Sequence, residues 1–426
     1  MNSLTIGFTL ILGVVIIFVS AKVAALPLLL AASIIPGSAV LEIGSFSFNV
    51  VRILLLFYTI RIITKHEATG FRFNMVDKAV FLYAAVVFIM GFVPREDLTL
   101  IYRLGQIYDL AGFYFVFRIL VRSKEILLTT MSGLAVFMII LALFMMYEHR
   151  HTHNLLGYFG GPLYPQIREG KVRAQGAFAH AILAGTIGAT TSGIFIGAWF
   201  ERSGRRWLYF LGILASLTIV WASASSGPFM SAVFLLIGIV TWYARNKMSI
   251  VRWGIVFSLI LLDVFMKAPI WYLIGRIDIT GSSTGFHRSE LITSAIKYFD
   301  EWWLVGTDYT RHWMATGVSW SPRHSDITNN YIRQAVQGGL LQLTAFLVII
   351  IRAFRYVGYI IKSLCTENKS EKFSMWCLGA VLFSHIVTFF SVGYFDQSNL
   401  FFILNVALIA SGDILISYNK EHPTST

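Results

Sequence analysis

The sequence predicts an all-α polytopic membrane protein, and three observations carry that prediction. Of 426 residues, 56% are hydrophobic and only 13% charged, about half the charged share of a water-soluble domain. Apolar runs long enough to cross a hydrocarbon core of about 30 Å recur from end to end. Among them are VFLYAAVVFIMGFV, ILLTTMSGLAVFMIILALFMM and LLQLTAFLVIII, and none alternates every second residue as a barrel strand would. In lipid the backbone must satisfy its own hydrogen bonds, which leaves helices as the remaining solution. The first residues, MNSLTIGF, lack the basic segment and cleavage site of a secretory signal, so the first apolar run is expected to stay as a span.

The formal charge of +12 suits either a nucleic-acid partner or the cytoplasmic loops of a membrane protein, and its distribution favours the loops. Basic clusters fall at Arg61, Lys65 and Arg72; at Arg118, Arg122 and Lys124; at Arg202, Arg205 and Arg206; at Arg245, Lys247 and Arg252; and at Arg352, Arg355, Lys362, Lys369 and Lys372. Two apolar runs separate each cluster from the next, so all five are expected on one side, the cytoplasm. Spans are then expected near 48–64, 77–94, 98–121, 126–146, 177–199, 207–224, 227–244, 250–267, 331–354, 374–392 and 397–416. The stretch from Thr5 to Ile35 is either two short spans turning at Lys22 and Pro27 or one tilted span, giving ~13 or ~12 in all. Residues 1–426 read as one membrane domain with a short outer loop at 147–175 and a large one at 268–330. The only cysteines, Cys365 and Cys377, lie outside both loops, so no disulfide framework or thiolate zinc site is expected there. No D-x-D, Walker, G-x-S-x-G or H-E-x-x-H motif occurs, which leaves nucleotide-sugar transfer, ATP hydrolysis and zinc proteolysis without support; no cofactor is implied.

The outer loops nevertheless carry cations: Arg150, Arg168, Lys171 and Arg173 in the shorter, Arg276, Arg288, Lys297, Arg311 and Arg323 in the longer. Lone loop charges mostly face solvent, the reading adopted for Arg150, Arg168 and Arg311. Arg173 and Arg288 differ, because each sits among small residues just before a helix, in KVRAQGAFAH and GSSTGFHRSELITSAI. A guanidinium so placed can approach a phosphate closely and grip it through two hydrogen bonds. From Ser289 to about Val305 the chain is amphipathic, with Leu291, Ile292, Ala295, Ile296, Phe299, Trp302 and Trp303 on one face. That helix either lies in the membrane interface or caps the bundle, and in both cases forms a roof. Tyr309, Trp313 and Trp320 are open to stacking on sugar rings or to loop packing.

HSDITNNYIRQ then places a His, an Asp and two Asn at the lip of a span. A neutral imidazole can accept a proton near neutral pH, which suits His324 to activate a hydroxyl, with Asp326 orienting it. Asn329 and Asn330 either bind a glycan or cap the helix that begins at Tyr331. The H-R-H-T-H of His149, His151 and His153 lacks a completing ligand set and reads as a solvated loop. Arg103 and Asp109 share one expected helix, where they either pair inside the bundle or serve function, as intramembrane charges do by default.

The order of R-A-Q-G-A-F-A-H (Arg173 to His180), G-S-S-T-G-F-H-R (Gly281 to Arg288), W-W-L-V-G-T-D and H-S-D-I-T-N-N-Y-I before G-G-L-L resembles the O-antigen ligase and O-antigen or exopolysaccharide polymerase family. The similarity in pattern runs from Arg173 to about Phe354. It implies a GT-C-like bundle in a bacterial inner membrane, with an undecaprenyl-diphosphate-linked glycan as donor and a second glycan or lipid A core as acceptor. It also implies a periplasmic site built from Arg173, Arg288 and His324, joined by His180 of the same motif. One departure is plain: where the family often has S-R-G, this chain has S-S-G-P, Ser225 to Pro228, and Arg276 is the candidate to replace the missing cation. The resemblance leaves polymerase and ligase both open, leaning to polymerase; a carrier of lipid-linked glycan is the contrasting class.

Overall fold

The computed structural model of the protein describes residues 1–201, 204–276, 285–319, 321–365 and 367–421. A helix lies under every expected span, and many begin at a polar side chain that accepts from backbone N–H groups left orphaned in the first turn. Asn2 opens α1 (Ser3–Phe18), and α2 (Leu26–Ile34) follows as a separate helix, so the N-terminal stretch is two short helices rather than one long one. The hairpin of β1 (Val40–Ile43) and β2 (Phe46–Asn49) leads to α3 (Val50–Thr64), capped by Asn49. A reciprocal box of Asn74 and Asp77 opens α4 (Met75–Met90). Thr99 caps α5 (Leu100–Ile107), which passes through a wider π turn at Tyr108–Gly112 into α6 (Phe113–Leu120). Ser123 caps α7 (Lys124–His151).

A second hairpin, β3 (Gln166–Arg168) and β4 (Lys171–Arg173), precedes α8 (Ala181–Phe200). Then come α9 (Arg206–Ala222), α10 (Ser226–Val240) and α11 (Met248–Phe265). The long loop holds α12 (Leu273–Arg276), α13 (Gly285–Lys297) and α14 (Phe299–Trp302). The chain ends with α15 (Asn330–Ser363), α16 (Lys369–Thr388), α17 (Gln397–Ala410) and α18 (Asp413–Glu421). Among the described residues, five helical runs are long and apolar enough to cross a membrane: Lys124–His151, Ala181–Phe200, Ser226–Phe265, Asn330–Ser363 and Gln397–Asn419. The protein is therefore an all-α membrane protein by length and composition of its helices.

α8 is the central post, packed against α9, α10 and α16. Small residues let it serve: a Cβ on Gly188 would stand 2.7 Å from the Ser216 carbonyl, so glycine is what allows two helices to approach this closely. At the other extreme, α11 buries none of its residues; an apolar helix exposed all round is one that meets lipid.

Two features sit at the loop end of the bundle. The first is a break in α15: Gly338 and Gly339 leave helical geometry, with Gly339 at φ +66°, a conformation open to glycine and costly for most side chains. The carbonyls this frees are taken up within the protein. Arg95 donates to Val336 O and Gln337 O, Arg103 to Gln337 O, and Thr307 N–H to Val336 O. The second feature is the roof. Its amphipathic stretch is not one helix but α13 and α14, parted at Tyr298, and its core is smaller than the sequence suggests. Leu291, Ala295 and Trp302 pack with Trp313 and Met314 on Ala335 and Val336 of α15, while Ile296, Phe299 and Trp303 stay exposed. The roof caps protein, and Leu340 N–H to Trp303 O bolts it to the break.

The pairing of Arg103 with Asp109 does not form. Asp109 accepts both arms of Arg52, at 2.7 Å each, and Arg103 turns instead to α15, where Gln342 Oε1 is 3.0 Å away. The two are six residues apart, and on a helix only side chains three or four apart are neighbours, so they leave on different faces.

Candidate functional site

The hairpin at 166–173 explains how a loop gathers charge. Glu169 and Gly170 both have positive φ, 52° and 72°, the backbone of a tight two-residue hairpin turn. Arg168 pairs across the ladder with Lys171, and Lys171 and Arg173 are two apart on one strand. Side chains directly opposite and side chains at i, i+2 share a face, so all three cations point the same way. They line a cavity of about 30 Å³ together with Ser225, Ser226 and Gly227 at the start of α10 and Arg288 in the first turn of α13. Residues more than a hundred apart in sequence, Arg173 and Arg288, thus meet.

Arg173 is the best defined of these groups. It is 7% exposed, donates from Nη2 to Ser225 Oγ at 2.7 Å, and its Nε has no hydrogen-bond partner. Among the described residues no carboxylate pairs with it, and burial, with Arg168 adding repulsion, pulls its pKa below the usual arginine value. A buried guanidinium left without an anion is costly, and the cost falls when an anion arrives. His180 stands beside it as the cap of α8, its Nδ1 accepting from Ile182 N–H at 3.2 Å. Burial first, then Arg173 and Arg168, drive its pKa down to about 4, so the ring stays neutral and adds no charge of its own.

The serines of the S-S-G-P segment therefore line the cavity where a cation was missing, and Arg168 and Lys171 supply charge from the hairpin. Arg168 is solvent-exposed, as expected, with Glu169 Oε1 3.9 Å from its Nε, and it also lines the mouth of this cavity. The signal was present in the E-G pair between I-R and K-V-R. The side chain of Arg276 and the segment 281–284 lie outside the described residues, as does Trp320.

His324 lines neither this cavity nor the larger one described below. Its Nε2 is 3.1 Å from Asp97 Oδ2 and its Nδ1 3.3 Å from Thr310 Oγ1, while Arg323 beside it pairs with Glu96. The orienting carboxylate is thus Asp97, from the loop between α4 and α5, and not Asp326, whose backbone carbonyl meets His287 Nε2 at 2.9 Å. Sequence proximity favoured Asp326; the acidic pair in P-R-E-D-L was the overlooked signal.

Asn329 and Asn330 are structural. Asn329 caps α15 through Tyr331 and Ile332 N–H and donates to Phe390 O, and Asn330 Oδ1 accepts from Tyr394 N–H. Both are 2% exposed, so neither is free for a glycan. Trp313 is spent on the roof core and on Glu301, whereas Tyr309 is half exposed and stacked on His312.

A second, larger cavity, about 200 Å³, opens between the N-terminal helices and α15 and α17. Its wall includes Arg52, Gln106, Asp109, Arg333, Gln334, Gln337, Asp396 and Gln397, with Tyr83, Tyr102, Tyr394, Phe346 and Phe395. Gln397 ties the two regions together, because its Nε2 donates to Ile35 O and to Ala177 O, within the segment that runs from Arg173 to His180. No protein-family model and no curated protein matches the chain.

Proposed function

We propose that the protein is a membrane-embedded glycosyltransferase that takes its donor glycan from a lipid diphosphate, undecaprenyl diphosphate by the resemblance, and joins it to another glycan at the periplasmic face of a bacterial inner membrane. The observation that carries this reading is the cavity in which Arg173, Arg168, Lys171 and Arg288 converge around small hydroxyl-bearing residues. As the anomeric carbon–oxygen bond breaks, negative charge builds on the departing diphosphate. Cations already gathered around that position, the buried Arg173 held by Ser225 above all, stabilise that charge with little reorganisation. In this scheme Ser225 holds Arg173 in aim, and His324, oriented by Asp97, removes the proton of the attacking acceptor hydroxyl. Attack from the opposite face inverts the anomeric centre.

A carrier would keep broken-helix carbonyls available for its cargo near mid-membrane. In α15 those carbonyls are already occupied by Arg95, Arg103 and Thr307, which favours the enzyme. Joining repeat unit to repeat unit, rather than finished chain to lipid A core, rests on the resemblance alone. The test is purified protein in lipid nanodiscs with an undecaprenyl-diphosphate-linked repeat. Chain elongation is expected, persisting in chelator, and lost in His324→Ala. Normal turnover by that variant removes His324 from the scheme, and absence of any transfer from this donor removes the scheme.

A further inference from the structure

The larger cavity has a chemistry opposite to that of the arginine cavity. Its arginines are engaged by protein: Arg52 by Asp109 in a two-point pair and by Ser47 O, and Arg333 by Tyr394 O and the Phe395 ring. What remains is a set of acceptors. Gln397 is 2% exposed, and because its Nε2 faces two carbonyl oxygens, the amide orientation is fixed and Oε1 is left buried without a partner. Gln106 Oε1 is likewise buried and unpartnered. Asp396 adds a carboxylate, held at φ +56°, an unusual backbone state for a side chain that is not glycine. Its position depends on Gly37: a Cβ there would fall 1.5 Å from Asp396 Oδ1. A buried acceptor left without a donor is costly, so a cavity lined by these side chains favours a solute that brings O–H donors. Aromatic walls beside the acceptors suit the apolar faces of a sugar ring.

We propose that this cavity is a carbohydrate site, the seat of a sugar ring of the acceptor glycan, with Gln106, Gln397 and Asp396 accepting from its hydroxyls. The acceptor role rests on the transferase reading above; the carbohydrate site itself stands on the cavity. An anionic headgroup fits poorly, since Arg52 is already neutralised by Asp109 and Asp396 adds a further carboxyl to the wall. Gln397 gives the site its link to the donor side, because this lining residue also donates to Ala177 O, four residues past Arg173.

The probe is a panel of methyl glycosides of neutral hexoses and N-acetylhexosamines, presented to the full-length protein in detergent and read by saturation-transfer NMR, with elongation of the lipid-linked repeat measured in parallel. At least one glycoside is expected to bind. Binding is expected to weaken about tenfold or more in Gln106→Met, which removes one acceptor at nearly constant volume, and in Gly37→Ala, which displaces Asp396. It is expected to persist in Arg173→Ala. Two different substitutions guard against a variant that does not fold, each being compared only when monodisperse. If no glycoside binds while the wild type elongates its donor, the carbohydrate site is wrong and the transferase reading survives. Binding that ignores both substitutions overturns the site as well. Binding as described, without any transfer from lipid-linked donors, leaves the carbohydrate site standing and overturns the acceptor role together with the transferase reading.

Discussion

Two cavities at one end of the bundle are built on opposite electrostatic plans. Around Arg173, three cations of one hairpin face and Arg288 outnumber the single carboxylate of Glu169. Around Asp396, two arginines meet two carboxylates, and unpaired amide oxygens set the character. The first is incomplete without negative charge; the second is incomplete without hydroxyl donors. A reaction that separates a diphosphate from a sugar and hands that sugar to an alcohol needs both kinds of environment, near each other and not merged. A merged site would let the carboxylates quench the arginines. Gln397, with its amide between the two regions, keeps them adjacent and distinct.

The sharpest way to break this contrast is to remove charge from one side only. Arg173→Ala is expected to lower elongation of a lipid-linked repeat by about a hundredfold or more, the scale on which single charge-stabilising donors act. Lys at the same position is expected to recover only part, because an ammonium cannot reach Ser225 and a phosphate in the same planar fork. If Lys restores full turnover, the two-point grip is not what the position supplies. Turnover unchanged in the alanine variant would mean that the cavity holds no developing charge.

Much of the arginine side was legible in the sequence. Arg173 and Arg288 stood out because cations beside small residues at the mouth of a helix have few uses other than gripping an anion. Arg168 and Lys171 were harder, since their value comes from a hairpin only three residues per strand, where loop charges ordinarily face water. The acceptor-rich side was nearly silent. Its polar residues are scattered over α3, α5, the start of α15 and the entry to α17, and a Gln or Asp near a span end carries no pattern that composition or periodicity can detect. Helices were readable because a membrane imposes length and apolarity on each one independently; Asp97 against His324 was not, because that pairing depends on how two distant loops pack.

A smaller effect compares the two cavities through acid and base. Asp396 is pushed up to about 7, by burial first and with Asp109 adding repulsion, against an ordinary value of 3.8. The folded state thus holds a proton that the unfolded chain releases. Stability from this group is full below 3.8 and is lost as pH rises through about 7. Asp396→Asn removes that loss, so the variant is expected to gain about 1–2 kcal/mol over wild type at pH 8 and little at pH 4, as read by melting in detergent. A gain of the same size at both pH values would assign the effect to relief of the backbone at this residue rather than to the proton.

His180 gives the mirror image and the smallest shift. Its folded value of about 4 lies below the ordinary 6.5, because burial and then the neighbouring arginines resist a charge on the ring. Here the unfolded chain takes the proton first, so stability is full above 6.5 and falls as pH drops toward 4. His180→Asn keeps a cap oxygen for Ile182 N–H and cannot titrate, so it is expected to flatten the acid side of the melting profile by about 1 kcal/mol while leaving the alkaline side to Asp396. Anion binding should act on the same limb: inorganic diphosphate seated among Arg168, Lys171 and Arg173 offsets the repulsion that keeps the imidazole neutral, and is expected to raise the His180 pKa seen by NMR. A His180 titration that ignores diphosphate would place the anion away from these arginines and dissolve the contrast between the two cavities.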